Sequence, residues 1–321
     1  MTVQGTLERL VVAHQSDRGL KRANNEDTSD FRIPAPGTAE AHFGALFVVA
    51  DGVGSLGSGE HASRAAVETL FDSYYDPELD DEDPRERIIA AIQDANEAVR
   101  ARGRAFEGQP LGTTLVGAAV LPSGRMVLFN VGDSRVYRVR GRSIEQLTAD
   151  QSAVDPSSGG ERAKLTAYVG QPAPILPQVT EQEFRPGDIL VICSDGLWGL
   201  VDAADIAKVV RSHTPDLAVA RLVKQVYANG ARDNVTVMLV HYGRPARKRR
   251  LMLVLLVAVV LMLAAGLAAI QLRQGVAVMG PPTAGAAETR VVVPLAVTDS
   301  APQTDAAPGL LVVRTPTFTP N

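Results

Sequence analysis

The sequence predicts an α+β fold built in layers, followed by one transmembrane helix. Two of the three observations behind this prediction concern the first 243 residues. Short apolar runs rich in β-branched residues come in groups, as strands do, and segments with apolar residues on one helical face come in pairs. The third observation is a run of twenty apolar residues at 251–270, which is long enough to cross a bilayer.

Eight segments have the composition of strands, and several of them are bounded by Gly, Asp or Asn. A tight turn at Pro122-Ser123-Gly124 separates two of them and predicts a hairpin. The predicted strands are Glu8–His14, Phe43–Ala50, Thr114–Leu121, Arg125–Val131, Val136–Arg140, Val179–Phe184, Asp188–Cys193 and Val235–Tyr242.

Four segments repeat apolar residues at helical spacing. Pro84 precedes one of them, at a position where proline is tolerated because the first helical N–H groups have no partner within the helix. The predicted helices are Glu60–Tyr75, Glu86–Arg100, Ala203–His213 and Leu217–Ala228.

Residues 251–270 contain only Leu, Met, Val, Ala, Gly and Ile. As a helix they would span about 30 Å, the thickness of a bilayer core. A buried core helix is the alternative, but core helices rarely lack polar positions over such a length. The basic segment 244–250 precedes the run, and positive flanks stay cytoplasmic. We therefore expect a single-pass protein of the cell membrane, with its N-terminal part in the cytoplasm.

These patterns divide the chain into four parts. We expect a folded domain at 1–243, a basic juxtamembrane linker at 244–250, the transmembrane helix at 251–270, and an extracytoplasmic tail at 271–321. The tail is rich in Pro, Thr and Ala, which predicts a largely disordered segment. No apolar stretch opens the chain, so we expect no cleaved signal peptide.

The composition limits the possible classes of protein. A hydrophobic content of 45% and a charged content of 21% are typical of a globular chain. The net charge of −4 gives no support to a nucleic-acid-binding protein. The single cysteine, Cys193, excludes an intramolecular disulfide, and its apolar surroundings in sequence indicate a small buried side chain rather than a nucleophile.

Aspartates stand where the predicted strands end or begin. Asp51, Asp133 and Asp195 follow apolar runs, and Asp233 precedes the last one. Carboxylates collected at strand ends can converge on one edge of a sheet, where they would repel each other. A hard divalent cation with oxygen ligands removes that repulsion, and Mg²⁺ or Mn²⁺ fits best. Each Asp-Gly pair taken alone is more typical of a turn, and the same alternative stays open for Asp133.

A series of short motifs surrounds these aspartates and resembles the protein phosphatase 2C family of metal-dependent Ser/Thr phosphatases in type and order. The resemblance covers about residues 8–242. The motifs lie at 16–27 (ending Asn25-Glu26-Asp27), 50–54 with 59–63, 112–114, 130–135, 147–152, 165–170, 193–198 and 232–236.

The resemblance implies a four-layer α-β-β-α sandwich of two antiparallel sheets with helices on both outer faces. It also implies a centre of two Mn²⁺ or Mg²⁺ ions. Asp51 would bridge the two ions, and the Gly52 carbonyl would bind one of them. Asp195 and Asp233 would hold the second ion, and Asp133 would join Asp195 at a third, weaker site.

Three further residues receive catalytic roles from the resemblance. Glu26 and Asp27 would act mainly through metal-bound waters, and Arg22 would grip the substrate phosphate. An arginine suits that role because its planar guanidinium can bind a phosphate through two hydrogen bonds. Two metals about 4 Å apart can activate water and stabilise the attacking and leaving oxygens.

The leading hypothesis is therefore a membrane-anchored protein Ser/Thr phosphatase that acts on phosphorylated cytoplasmic or membrane-associated proteins. A membrane Ser/Thr kinase would be an obvious counterpart. Two alternatives remain open, namely a catalytically weak sensor or scaffold with a phosphatase fold, and a small-molecule phosphohydrolase. The segment 153–164 is shorter than the flap usual in bacterial relatives, which predicts a more open site for bulky phosphoprotein loops.

Overall fold

The structure is a computed structural model that describes residues 5–53, 58–79, 83–105, 110–154, 163–172, 174–243 and 261–262. The predicted linker, transmembrane segment and tail lie outside the described residues, except for Leu261 and Met262, which are helical. Among the described residues, no helix combines the length and the apolar character that crossing a membrane requires.

Within the described ranges, thirteen strands make up the sheets. They are β1 (Leu10–Asp17), β2 (Asp27–Arg32), β3 (Ala45–Val53), β4 (Gly112–Thr113), β5 (Leu115–Val120), β6 (Arg125–Val131), β7 (Arg135–Arg140), β8 (Ser143–Gln146), β9 (Ser152–Val154), β10 (Ala163–Leu165), β11 (Gln178–Glu183), β12 (Ile189–Cys193) and β13 (Val235–Tyr242). All paired strands run antiparallel.

Two sheets carry the fold. Sheet A has the order β1-β13-β12-β7-β8, and sheet B has the order β11-β6-β5-β3-β2, with the short β4 beside β3. The strands β9 and β10 form a separate pair. The turn from β6 to β7 crosses from sheet B to sheet A, and Asp133 lies in that turn.

In the described part of residues 5–243, five α-helices accompany the sheets. They are α1 (Gly59–Tyr74), α2 (Pro84–Ala105), α3 (Asp195–Trp198), α4 (Ala203–Ser212) and α5 (Pro215–Ala228). Short 3₁₀ turns lie at Leu7–Arg9, Ala39–His42 and Pro77–Leu79.

Three apolar clusters show the order of the layers. One joins α1 and α2 to sheet B, and it includes Leu70 and Ile92. A second lies between the sheets, where Phe47 and Met238 are fully buried. The third joins α4 and α5 to sheet A through residues such as Leu222. The expectation of two antiparallel sheets flanked by helices is therefore confirmed.

The sequence located most elements correctly and missed those with little apolar character. Arg125–Val131 and Val235–Tyr242 have the predicted ends, because each is a nearly continuous apolar run. The first strand was predicted too early, since residues 8 and 9 belong to a 3₁₀ turn. Strand β2 was missed because its sequence, DTSDFR, is mostly polar.

Candidate metal centre

The predicted acidic residues meet at one edge of the two sheets. Asp27 at the start of β2 pairs in register with Asp51 near the end of β3. Asp195 begins α3, two residues after the end of β12, and Asp233 lies two residues before β13. Asp133 occupies the turn that joins the sheets. Antiparallel pairing thus brings strand ends from distant parts of the chain to the same edge.

The pKa values of these carboxylates show how strongly the edge disfavours negative charge. Burial raises the pKa of Asp51 well above its usual range, and the charges of the other four aspartates, Asp27, Asp195, Asp233 and Asp133, raise it further. Burial and neighbouring carboxylates also raise the pKa of Asp195 to about 7, and burial raises that of Asp133. A cation among these groups would favour their ionised forms.

Asp27 is held by hydroxyl groups from the opposite sheet. Its Oδ2 accepts hydrogen bonds from Ser194 Oγ at 2.8 Å and from Thr236 Oγ1 at 2.7 Å. Burial nevertheless raises the pKa of Asp27 to about 6. Within the described residues, its buried Oδ1 has no hydrogen-bond partner. A buried carboxylate oxygen without a donor is a good ligand position for a cation or for its bound water.

The backbone of Asp51 is fixed by two neighbouring threonines. Its N–H donates to Thr114 Oγ1 at 3.0 Å, and its carbonyl accepts from the Thr113 hydroxyl at 2.9 Å. Thr114 Oγ1 also lies 2.8 Å from Ser134 Oγ. Because Ser134 follows Asp133, this contact ties the Asp51 strand to the turn that carries a second carboxylate.

Asn234 organises the loop that contains Glu26. Its side-chain Oδ1 accepts a hydrogen bond from the Glu26 N–H at 2.9 Å, and its Nδ2 donates to the carbonyls of Arg18 and Asn24. The Glu26 carboxylate in turn accepts from the Gly59 N–H at 3.2 Å. The acidic side chain is therefore buried against the start of α1 and fixed on both sides.

Gly52 lies where three backbone segments approach closely. A Cβ on this residue would stand 2.3 Å from the Gly59 carbonyl oxygen and 2.6 Å from the Glu26 carbonyl oxygen. The Gly52 N–H donates to that same Glu26 oxygen at 3.1 Å. The glycine is therefore required by packing at the site, whatever its carbonyl binds.

Arg22 lies beside the acidic edge with its guanidinium on Asp233. The two side chains are 2.7 Å apart, and a second nitrogen of Arg22 is 3.9 Å from Glu26 Oε2. Both partners of the close pair are partly exposed, so the contribution of this ion pair to stability is small. Its importance is positional, because it places a guanidinium, which is a group able to bind phosphate, next to the carboxylates.

The residues present suit a divalent metal, although they do not form a closed cage. In the part of the chain that the structure describes, no three acidic, histidine or cysteine side chains are arranged to hold an ion. Asp233 is instead paired with Arg22. The donor set still fits Mg²⁺ or Mn²⁺, since it consists of carboxylate oxygens that repel each other without a cation.

Four supporting residues were absent from the predicted site, namely Thr114, Ser194, Asn234 and Thr236. The amino-acid sequence contains a pattern that could have indicated Asn234 and Thr236. Asn234 immediately precedes the apolar run of β13, and Thr236 interrupts that run two residues later, so extended backbone would direct both side chains to the same face. Their partners could not be identified, because they lie about two hundred residues away in the chain.

Asp17 and Trp198 lie within the predicted motifs and have structural contacts. Asp17 accepts hydrogen bonds from the Gly19 N–H and from the Tyr227 hydroxyl, as a turn residue does. The ring of Trp198 packs under the guanidinium of Arg135, whose carbon is 3.6 Å from the ring centroid. This contact attaches α3 to β7, and Arg135 also binds Asp150 through two nitrogens. Trp198 therefore has a packing role.

The amino-acid sequence is similar to those of known protein phosphatases. Residues 27–230 match the family model for protein phosphatase 2C. The serine/threonine protein phosphatase PstP of Mycobacterium tuberculosis is 32% identical over 251 residues, which cover 71% of this chain but 44% of the mycobacterial protein. The protein phosphatase PhpP of Streptococcus pneumoniae is 28% identical, covering 70% of this chain and 94% of that protein.

The solved structures include a similar fold with metals bound. The catalytic domain of the serine/threonine protein phosphatase PstP, in complex with two manganese ions, has a TM-score of 0.60 and 30% sequence identity. The match covers 73% of this chain and 99% of that domain.

In EDTA, we expect the folded protein to lose stability as pH rises from about 4 to about 7. Asp27, with a pKa of about 6, and Asp195, with one of about 7, bind protons more tightly in the folded state than in the unfolded state, where an aspartate has a pKa of about 3.9. The stabilisation present below pH 4 is therefore lost as the folded-state pKa values are passed. For Asp27 alone this is roughly 3 kcal/mol.

Calorimetric melting temperatures between pH 4.5 and 8, in EDTA and in Mn²⁺, would test this expectation. Mn²⁺ should raise the melting temperature more at pH 8 than at pH 5, because the ligands must be ionised. Asp51→Asn should flatten the slope seen in EDTA, whereas Asp72→Asn, an exposed change on α1, should leave it unchanged. A melting temperature in EDTA that does not vary with pH would contradict the electrostatic description of the site.

Proposed function

Because this chain belongs to the protein phosphatase 2C family, we propose that it is a metal-dependent protein phosphatase that hydrolyses phosphoserine and phosphothreonine. The observation that carries this proposal is the half-buried Asp51, which lies in the field of four other aspartates with Arg22 at the rim. The matched part of the chain spans less than half of the mycobacterial relative, so we assign the activity to the domain described here.

Two Mn²⁺ or Mg²⁺ ions would supply an activated water and offset the negative charge of the transferred phosphoryl group. Asp51 would bridge the ions, with the Gly52 carbonyl on one of them. Asp195 and Asp233 would hold the second ion, and Asp133 would join Asp195 at a third, weaker site. The acidic composition of the edge and the manganese complex of the similar PstP domain support these roles.

The remaining site residues would bind and orient the substrate. In the reaction, the oxygen of water forms a bond to phosphorus as the bond to the serine or threonine oxygen breaks, and that oxygen leaves as the alcohol. Arg22 would transfer its guanidinium from Asp233 to the phosphate oxygens once cations neutralise the carboxylate. Glu26 and Asp27 would orient water molecules through their buried carboxylates.

Replacing Asp51 or Asp195 with Asn should abolish turnover while preserving the fold. The loss should be at least about a hundredfold, as expected when a principal electrostatic stabiliser is removed from an active site. The measurement is hydrolysis of p-nitrophenyl phosphate and of a phosphothreonine peptide by the full-length chain, with Mn²⁺, with Mg²⁺ and with EDTA. Asp72→Asn is the matched control.

The two variants should also melt at a higher temperature than the unmodified protein in EDTA, because one repelling charge is gone. Folded, metal-loaded Asp51→Asn protein with normal activity would rule out the two-metal model. An unmodified protein that binds Mn²⁺ but turns over no phosphoester would favour the alternative of a sensor or scaffold. Preference for sugar phosphates over phosphopeptides would favour the small-molecule phosphohydrolase.

Arg22→Lys and Arg22→Ala should weaken substrate use without weakening metal binding. Loss of a charge-assisted hydrogen bond costs about 1.5–3 kcal/mol, which is roughly a 10- to 100-fold fall in kcat/KM. Lysine keeps the charge but loses the planar pair of donors, so Arg22→Lys should retain part of the activity. Steady-state kinetics and inhibition by inorganic phosphate would measure the effect. Unchanged phosphate inhibition in Arg22→Ala would contradict the assigned role.

We further propose that the chain is anchored in the cell membrane by residues 251–270, with its catalytic domain in the cytoplasm and its tail outside. Support comes from the uninterrupted apolar sequence and from the basic segment 244–250 before it. Anchoring would raise the effective concentration near membrane substrates, which would include a Ser/Thr kinase and its targets. The short segment at 153–164 supports access for bulky phosphoprotein loops.

Fractionation of cells that produce the full-length chain would test the anchor. The protein should sediment with membranes and resist extraction by high salt and by alkaline carbonate. A variant with Leu255, Val259 and Leu263 changed to Lys should become soluble, because a charge at the bilayer centre is costly. Equal changes at Leu310, Val312 and Val313 in the tail are the control. Release of the unmodified protein by carbonate would contradict the proposal.

A further inference from the structure

The hydrogen bonds around Asp27 have a single possible direction. Ser194 and Thr236 each donate their only hydroxyl proton to Asp27 Oδ2. Thr236 Oγ1 therefore accepts from Ser16 Oγ, which lies 2.7 Å away, and Ser16 accepts from Asn25 Nδ2 at 2.8 Å. Each hydroxyl has one proton, so the order along this chain of groups is fixed.

Ser194 and Thr236 are also linked to each other. The Thr236 N–H donates to Ser194 Oγ at 3.0 Å, and both side chains are fully buried. They belong to sheet A, at the end of β12 and the start of β13, whereas Asp27 belongs to sheet B. The two hydroxyls thus connect the sheets at the edge where the carboxylates meet.

Both hydroxyls bind the same oxygen of Asp27 and leave the other without a donor. Among the described residues Oδ1 has no hydrogen-bond partner, although the Asp27 side chain is nearly buried. An unpaired buried acceptor is costly, so a purely structural role for Asp27 would favour one donor on each of its two oxygens. The observed arrangement instead leaves Oδ1 without a hydroxyl or N–H donor and next to the carboxyl group of Asp51, a position that suits a cation.

We propose that Ser194 and Thr236 are positioning residues that lock Asp27 with Oδ1 available to a divalent cation or its bound water. The inference rests on the proposed metal-dependent activity and adds two residues to it. Groups that orient metal ligands typically change metal affinity by 10- to 100-fold when they are replaced. Ser194→Ala and Thr236→Val should therefore each weaken Mn²⁺ binding by a factor in that range.

The test is a Mn²⁺ titration of the full-length chain, with free Mn²⁺ measured by its electron paramagnetic resonance signal. Thr236→Ser keeps the hydroxyl, so its Mn²⁺ affinity should lie within about threefold of that of the unmodified protein. This difference is smaller than the one expected from losing a ligand-orienting group. Thr6→Val is a matched control, because Thr6 accepts a bond from the Tyr242 hydroxyl at the opposite end of β13. Melting temperatures in EDTA would show that each variant is folded.

A double-mutant cycle with Asp27→Asn separates positioning from a general loss of structure. If the hydroxyls act through Asp27, adding Thr236→Val to Asp27→Asn should cost little further Mn²⁺ affinity, since coupled residues are not additive. Fully additive losses, or folded Ser194→Ala and Thr236→Val proteins that bind Mn²⁺ normally, would overturn the inference. If Thr236→Val does not fold, the Mn²⁺ affinity of Ser194→Ala alone decides whether the inference holds. An unmodified protein that binds no Mn²⁺ would instead contradict the proposed function.

Discussion

The repulsion among clustered carboxylates at one edge of the sandwich is the constraint on which the rest of the site depends. Five aspartates approach each other there, and partial burial together with their mutual repulsion disfavours their charged forms. The surrounding structure compensates in several ways. Hydroxyls donate to Asp27, Arg22 binds Asp233, and backbone contacts fix Asp51. Without metals these contacts hold the carboxylates together and leave their charge only partly neutralised. A folded protein of this kind favours cations because of its own architecture.

The two sheets contribute different parts of the site, and their connection determines its geometry. Sheet B supplies Asp27 and Asp51, while Asp195 and Asp233 flank strands of sheet A. The turn that carries Asp133 passes from one sheet to the other. Contacts between hydroxyl and carboxylate groups bridge the same gap. Since the apolar interior fixes the separation of the sheets, distances within the site are maintained by the packing of residues such as Phe47 and Met238.

Sequence patterns predicted the layers of the fold and the acidic residues of the site, but they did not predict the residues that contact those acidic side chains. The apolar strands β6 and β13 were located to the residue, because continuous burial leaves a continuous apolar signal. Strand β2 was missed, since an edge strand with one exposed face has little such signal. The partners of Asp27 depend on contacts across 167 and 209 residues, which periodicity cannot reveal. Pairing of Arg22 with Asp233, 211 residues away, was hidden for the same reason.

The place of β13 in sheet A has a consequence for how the protein is made. This strand is the last of the domain to leave the ribosome, yet it lies between β1 and β12 and is the only partner of β1 among the described strands. The N-terminal strand must therefore wait for almost the whole domain to be synthesised before it can pair. Asn234 and Thr236 arrive with the same segment, so the acidic edge cannot assemble until that segment has emerged. Until then, Asp27 of a nascent chain lacks the Thr236 hydroxyl that binds its carboxylate.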